Sequence, residues 1–335
     1  MKEKRIAKTP FALAFSVGAV LFSAHAGGGF ATGNQANTYY VGLGWAGIVS
    51  AVIAMLLLTL TMRQAMVMYN SRGLTSYKQL FETLYHPFDK IEWLFEIFFY
   101  IMVLMAVAAA ISGAASALQG YFGMNYYLGI VVVGMVVLMP TMIACGTPLE
   151  NRKGCGKAMW ISFVMNTVAL VLSIFMLLSW QGVYTSVEGG TTIPTLTSCN
   201  AMGISWLTTV YGICLLLCLI STGVTTIYGF VARFEKLPMF RGISSAPIRS
   251  AIVSAFIIVV SMTISLVGLS NIIKYGYGYC GYLGIAVVVI PFLTVGVYKN
   301  RTYIRAHGEA FPQRQEEEPS SSKSVPNTRP AAQCD

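Results

Sequence analysis

The sequence predicts an all-α polytopic membrane protein with about eight transmembrane spans and a discontinuous first helix. Of its 335 residues 56% are hydrophobic and only 10% charged, against roughly a quarter charged in an ordinary soluble domain. Apolar runs recur along the whole chain, each near the ~20 residues that a helix needs to cross a bilayer. The short alternating segments of a membrane β-barrel are absent from the pattern.

The expected spans are 9–40, 44–68, 92–118, 124–145, 157–180, 204–231, 248–271 and 277–298. They form one transmembrane domain, 1–298. The tail 299–335 contains "QRQEEEPSSSKSVPNTRP", too polar to bury a core, and is expected to be disordered and cytoplasmic. The first span admits two readings. "MKEKRIAK", then "FALAFSVGAVLFSA", then "AHA" follows the pattern of a cleavable signal peptide. "AGGGFATGNQ" at 26–35 packs glycines into the same run, a poor helix interior, and reads as a membrane helix broken on purpose. Unwound backbone at membrane depth persists where protein buries it or a polar cavity receives it.

Charge indicates the sidedness. With eight spans, every Lys and Arg except Lys274 falls on one face, which places both termini in the cytoplasm of a cell (inner) membrane protein. The net charge of +9 is therefore distributed as a topology signal and not as a nucleic-acid surface. The opposite face carries Tyr39, Tyr40, Trp45, Tyr126, Tyr127, Trp180, Tyr184, Tyr275, Tyr277 and Tyr279, read as an interfacial aromatic belt. Of seven cysteines, Cys214 and Cys218 lie within a span, Cys145, Cys155 and Cys334 face the reducing side, and Cys199 and Cys280 share the outer side, where they stay free or pair. None has zinc-ligand spacing.

Several landmarks resemble the YkvI-like family of bacterial membrane proteins, part of the amino acid–polyamine–organocation (APC) superfamily. "GGGFATGNQ" at 27–35 resembles the family's glycine motif in its first helix, and "SGAAS" at 112–116 its small-residue stretch. "TPLENRKGCGKAMW" at 147–160 is similar to the loop after its sixth helix, and "STGVTTIYGFVARF" at 221–234 to its eighth helix. The resemblance implies a LeuT-like architecture. This chain departs from it in two respects. About 30 residues separate the second and third landmarks, two spans fewer than the family's ten helices require. The proline break "MPTMIACG" at 139–146 is either a remnant of the second discontinuous helix or an ordinary kink. Second, a family glutamate is Gln35 here, which can hydrogen-bond but not titrate.

The resemblance implies substrate contacts at Gly29, Phe30, Ala31, Thr32, Gly33, Asn34 and Gln35. For a coupled sodium ion it implies carbonyls near Ala26, Gly27 and Gly29 with the hydroxyls of Ser221 and Thr222; Thr225 and Thr226 come second. The competing reading is that such hydroxyls bond their own helix or a neighbour. Glu92 and Glu96 sit one turn apart where the third span enters the membrane, and Glu96, the deeper, is a gating or proton candidate. His25 either packs between helices or lines the cavity. Ala106, Ala110, Gly113 and Ala117 form a small-residue packing stripe.

The expected function is a secondary transporter (a symporter in amino acid transport or its like) of a small polar or amino-acid-like solute, sodium-coupled or not. The alternative is a non-transporting sensor or assembly subunit on a degenerate transporter fold. No enzyme is expected: the chain has three histidines, no HExxH and no nucleophile–base pair. The expected partners are the solute, the lipid bilayer and, optionally, further copies of the chain. A reporter that works only in the cytoplasm should be active when fused after Asp335 and inactive when inserted at Glu188. Activity at Glu188 would invert or break the assigned topology.

Overall fold

The computed structural model describes residues 10–25, 27–128, 130, 152–234 and 245–308. These are mainly helical, with no strand among them. The first span is in pieces: α1 (Phe11–His25), α2 (Gly28–Ala31) and α3 (Asn34–Tyr39). Then follow α4 (Trp45–Ser71), the short α5 (Tyr77–Tyr85), α6 (Glu92–Phe122) and α7 (Arg152–Ser179). Two short helices, α8 (Gln181–Ser186) and α9 (Pro194–Ala201), lead to α10 (Ser205–Phe234) and α11 (Ala246–Ser265). The last helix, α12 (Leu269–His307), contains three π-helical stretches, Ile272–Tyr277, Ile285–Val289 and Phe292–Gly296.

Among the described residues, six helices are long and apolar enough to span a membrane, and Phe11–Phe22 is a shorter apolar piece. The expected span 124–145 and the "MPTMIACG" segment lie almost wholly outside the described residues. The flanking helices nevertheless run in the same direction. Along α1 and α7, Phe11 lies under Lys157 and Gly18 faces Ala158 and Ser162. Gly28 then meets Ala110, and Thr32 meets Gly113, so α6 also runs with the broken helix.

Several expected boundaries move. The break before the last span falls at 266–268, because α11 ends at Ser265 and 272–277 is wound into α12. The tail does not begin at 299: α12 continues to His307. Asn300 donates to the Gln64 carbonyl (2.9 Å) and accepts from Arg72 (2.9 Å), while Lys299 donates to the carbonyls of Thr83, Leu84 and His86. A cation on the last carbonyls of α5 is favoured by their unpaired lone pairs and the helix dipole. The remainder, 309–335, is outside the described residues.

Part of the aromatic belt turns inward. Trp45, Tyr127, Tyr275 and Tyr279 are exposed as expected. Tyr184 is instead buried and donates to Asn37 (2.9 Å); its burial pushes the phenol up to about 12, so it remains a donor. Tyr126 shares a hydrogen bond with Ser112 and donates to the Ser265 carbonyl (2.8 Å), and Tyr39 donates to the Ile273 carbonyl (2.5 Å). In sequence, an aromatic near a span end looks the same whether it faces lipid or a neighbouring helix. Cys199 and Cys280 are buried and unpaired.

The broken helix is held on both sides. A Cβ at Gly18 would lie 2.8 Å from the Ala158 carbonyl, so α1 and α7 touch backbone to backbone there. Gly28 meets Leu219 of α10 and the backbone of Ala109 and Ala110 of α6. Gly18→Val should therefore lower the apparent melting temperature of the purified protein, with a cost of about 1–3 kcal/mol for overpacking. Unchanged stability, with an intact mass lacking the first 26 residues, would return α1 to the signal-peptide reading.

Candidate functional site

The glycine-rich segment folds into a joint. α1 ends at His25, one helical turn runs from Gly28 to Ala31, and α3 starts at Asn34. Gly33 takes φ +78°, a left-handed conformation that glycine reaches without a Cβ penalty, and a Cβ there would overlap the Thr195 hydroxyl. Thr32 donates to the carbonyls of Gly28 (2.9 Å) and Gly29 (3.1 Å). Gly27 and Phe30 accept from the amides of Ala31 and Gly33, and the Ala31 carbonyl accepts from Tyr211 (2.6 Å). Asn34, 1% exposed, donates through Nδ2 to the carbonyls of Thr191 and Thr192 and reaches the Ser270 hydroxyl at 3.0 Å. Its Oδ1 accepts from Thr38. The joint is thus tied to the segment before α9 and to the start of α12.

This geometry redistributes the predicted site residues. Ala26 lies outside the described residues. The carbonyls of Gly27 and Gly29 already accept hydrogen bonds from the chain, so the break does not present a bare ring of acceptors. Ser221 is exposed on the outer surface of α10; the residue that meets Gly28 is Leu219, two positions earlier and on the opposite face. Thr222 donates to the Cys218 carbonyl (2.8 Å), and Thr225 and Thr226 likewise bond the preceding turn. The structure does not bring the Ser221 hydroxyl to the break. In sequence the pair looks contiguous, but adjacent residues on a helix sit about 100° apart.

Of the predicted substrate contacts, Gln35 alone lines the main cavity described here. That cavity, about 750 Å³, lies between α3, α4, α5, α6 and α12. Its wall carries Tyr39, Tyr40, Phe81, Phe95, Phe98, Tyr277, Tyr282 and Phe292, with Leu58, Met62, Met102 and Val288 between them. Phe30 and Ala31 face a smaller cleft against α7, about 410 Å³, with Thr195. Gly29, Thr32, Gly33 and Asn34 are buried in the joint itself.

One end of the cavity is closed by α5, an amphipathic helix. Ser76 caps it, accepting from the Gln79 amide (3.2 Å), and Gln79 reaches back to Thr75. Its apolar face turns Leu80, Phe81 and Leu84 inward, and Phe81 stacks on Phe95 and meets Phe292 edge-on. Tyr85 donates to the Val287 carbonyl (2.5 Å), and burial pushes its phenol up to about 12.

The opposite wall is the stretch "YGYGYCGYLG", 275–284, which stands out in the sequence only through its tyrosines. A Cβ at Gly276 or Gly284 would press on Met105 or Phe98, so these two glycines let α12 approach α6. Gly278 and Gly281 open onto the cavity, and Gly281 has nothing within 4 Å of its Cβ position. Tyr/Gly alternation running into a π-helical stretch is the signal that could have found this wall, since π-bulges gather at functional sites.

Glu92, 9% exposed, is less exposed than Glu96, and its carboxyl group is a hydrogen-bond neighbour of Glu96. Neither acid lines the cavity. His25 packs on the Phe30 ring (5.5 Å) beside Asn166 and is also absent from the cavity wall. Among the described residues no cluster of His, Cys, Asp or Glu is arranged to hold a metal.

Comparison of the chain with protein-family models, curated proteins and solved structures finds no match. The site is therefore defined by its own geometry. Asn34→Leu strips the Thr191 and Thr192 carbonyls of their shared donor, and Gly33→Ala forces a Cβ into the left-handed region. Each should cost about 2 kcal/mol or more, a fall of roughly 3 °C or more in apparent melting temperature for a chain of this size. Unchanged melting in both variants would show that the joint carries no structural burden.

Proposed function

We propose that the protein is a secondary transporter of a small organic solute, working by alternating access around the broken first helix. One observation carries the reading: a discontinuous membrane helix whose last piece, α3, forms one wall of a cavity between the spanning helices. Discontinuous helices beside a central cavity are how secondary transporters build their binding sites. The order of the sequence landmarks, together with that broken helix, supports a LeuT-like, APC-type architecture for this reading. On this reading the protein sits in the cell membrane with both termini cytoplasmic.

The pieces have mechanical roles. Towards the outside, the cavity is limited by the Tyr39–Ile273 hydrogen bond and by Asn34 holding Thr191, Thr192 and Ser270. Towards the cytoplasm it is limited by α5, whose Phe81 and Leu80 fill the gap and whose C-terminus is clamped by Lys299. Opening inward requires α5 to leave α12; opening outward requires the Asn34 ties to part. The sodium coupling implied by the family resemblance needs oxygen ligands other than the Ser221 hydroxyl, which faces outward.

The test does not require knowing the solute. With the native cysteines replaced by serine, Gly281→Cys places one thiol in the cavity. Its labelling by membrane-impermeant reagents is measured from each side in sodium and in potassium. Alternating access predicts labelling from both sides, with one rate falling as the other rises when conditions shift the conformer; a sodium-dependent shift would support ion coupling. Labelling from one side under every condition would contradict transport and favour a non-transporting sensor.

A further inference from the structure

We infer that the ligand of this cavity is a lipophilic solute, an aromatic or alkyl body bearing one uncharged hydrogen-bonding group, and that Gln35 reads that group. The inference rests on the transport reading for the cavity's role, but its chemistry stands on the wall alone. No charged side chain lines the cavity among the described residues. A carboxylate, phosphate or zwitterion seated there would leave water with no counter-charge, which burial strongly penalises. An apolar body gains instead from every face: Tyr40, Phe95, Phe98, Tyr277 and Phe292 offer rings from three sides.

Two polar side chains of the wall are committed to backbone carbonyls, while the phenols of Tyr40, Tyr277 and Tyr282 add hydroxyls at its aromatic surface. Thr61 donates to the Leu57 carbonyl (2.8 Å), and Tyr39 to Ile273. Gln35 has no hydrogen-bond partner among the described residues, and its Oε1 lies over Gly29, 3.2 Å from where a Cβ would be. Its amide offers donors and an acceptor to one neutral group. Gly29 without a side chain leaves the space that Gln35 needs to lie flat at the cavity's edge.

The route in agrees with the wall. Tyr282 lines the cavity yet is 74% exposed, and Ile285 is half exposed, so the mouth opens on the flank of α12. In a bilayer that flank meets acyl chains, which a lipophilic solute can leave without crossing a polar vestibule. The small polar or amino-acid-like solute expected from the sequence has no such match here.

Indole and L-tryptophan test the class, because they share a ring and differ in the zwitterion. Equilibrium binding of each is measured on the full-length protein in nanodiscs, with empty nanodiscs subtracted. Saturable indole binding is expected, with L-tryptophan at least roughly tenfold weaker. Gln35→Leu should weaken indole about tenfold, and Gly281→Leu, which fills the open space, should abolish it while melting stays near wild type. L-Tryptophan binding as tightly as indole, or indole binding untouched by both substitutions, would overturn the inference. So would no saturable binding of either probe. None of these results bears on the two-sided labelling of Gly281→Cys, which tests transport independently, so the two failures are distinguishable.

Discussion

Everything in this fold depends on one constraint: backbone amides and carbonyls released at membrane depth must find partners inside the protein. The break between α1 and α3 releases several at once. Thr32 recovers two carbonyls on its own segment, Tyr211 a third from α10, and Asn34 fastens the joint to the segment before α9 and to α12. These ties explain why the joint draws together helices from both halves of the chain. They also commit the side chains of Thr32 and Asn34 to holding the joint. The cavity is walled by neighbouring side chains, and Gln35 is where joint and cavity meet.

The cavity in turn depends on α12. A regular α-helix with side chains all round would fill the space between α4 and α6. Glycines at 276 and 284 let α12 approach α6, glycines at 278 and 281 leave room, and the π-helical turns change which residues face inward along its length. The end nearest Lys299 is then stoppered by α5. Its amphipathic face is satisfied only by burial against Phe95 and Phe292, and its C-terminal carbonyls by Lys299. Together with the Tyr85 hydrogen bond to Val287, these contacts hold α5 along one face.

The helical class, most of the spans and the glycine break are legible in the sequence, because hydropathy and helix propensity are local properties. The partners of the break are not. Nothing in "TGNQ" says that Asn34 will meet Thr191, Thr192 and Ser270, since those contacts join residues more than 150 positions apart. Facing is the other gap. Ser221 and Thr222 read as a pair, yet one lies on the outer surface and the other bonds its own helix. Tyr127 and Tyr184 read as one belt, yet one is exposed and the other buried. The start of the tail misleads for a similar reason: Lys299 and Asn300 look like the beginning of a polar segment until the carbonyls of α5 and the side chain of Arg72 are placed beside them.

Amide hydrogen exchange over residues 27–40, in the intact protein in a bilayer, tests the central claim most directly. If side chains sew the break into a built joint, the amides of 31–37 should be as protected as those of α4, and Asn34→Leu should release them while α10 stays protected. Exchange in the unaltered protein as fast as in the exposed stretch 187–189 would contradict the account, because the break would then be a frayed loop and could not set the position of the cavity.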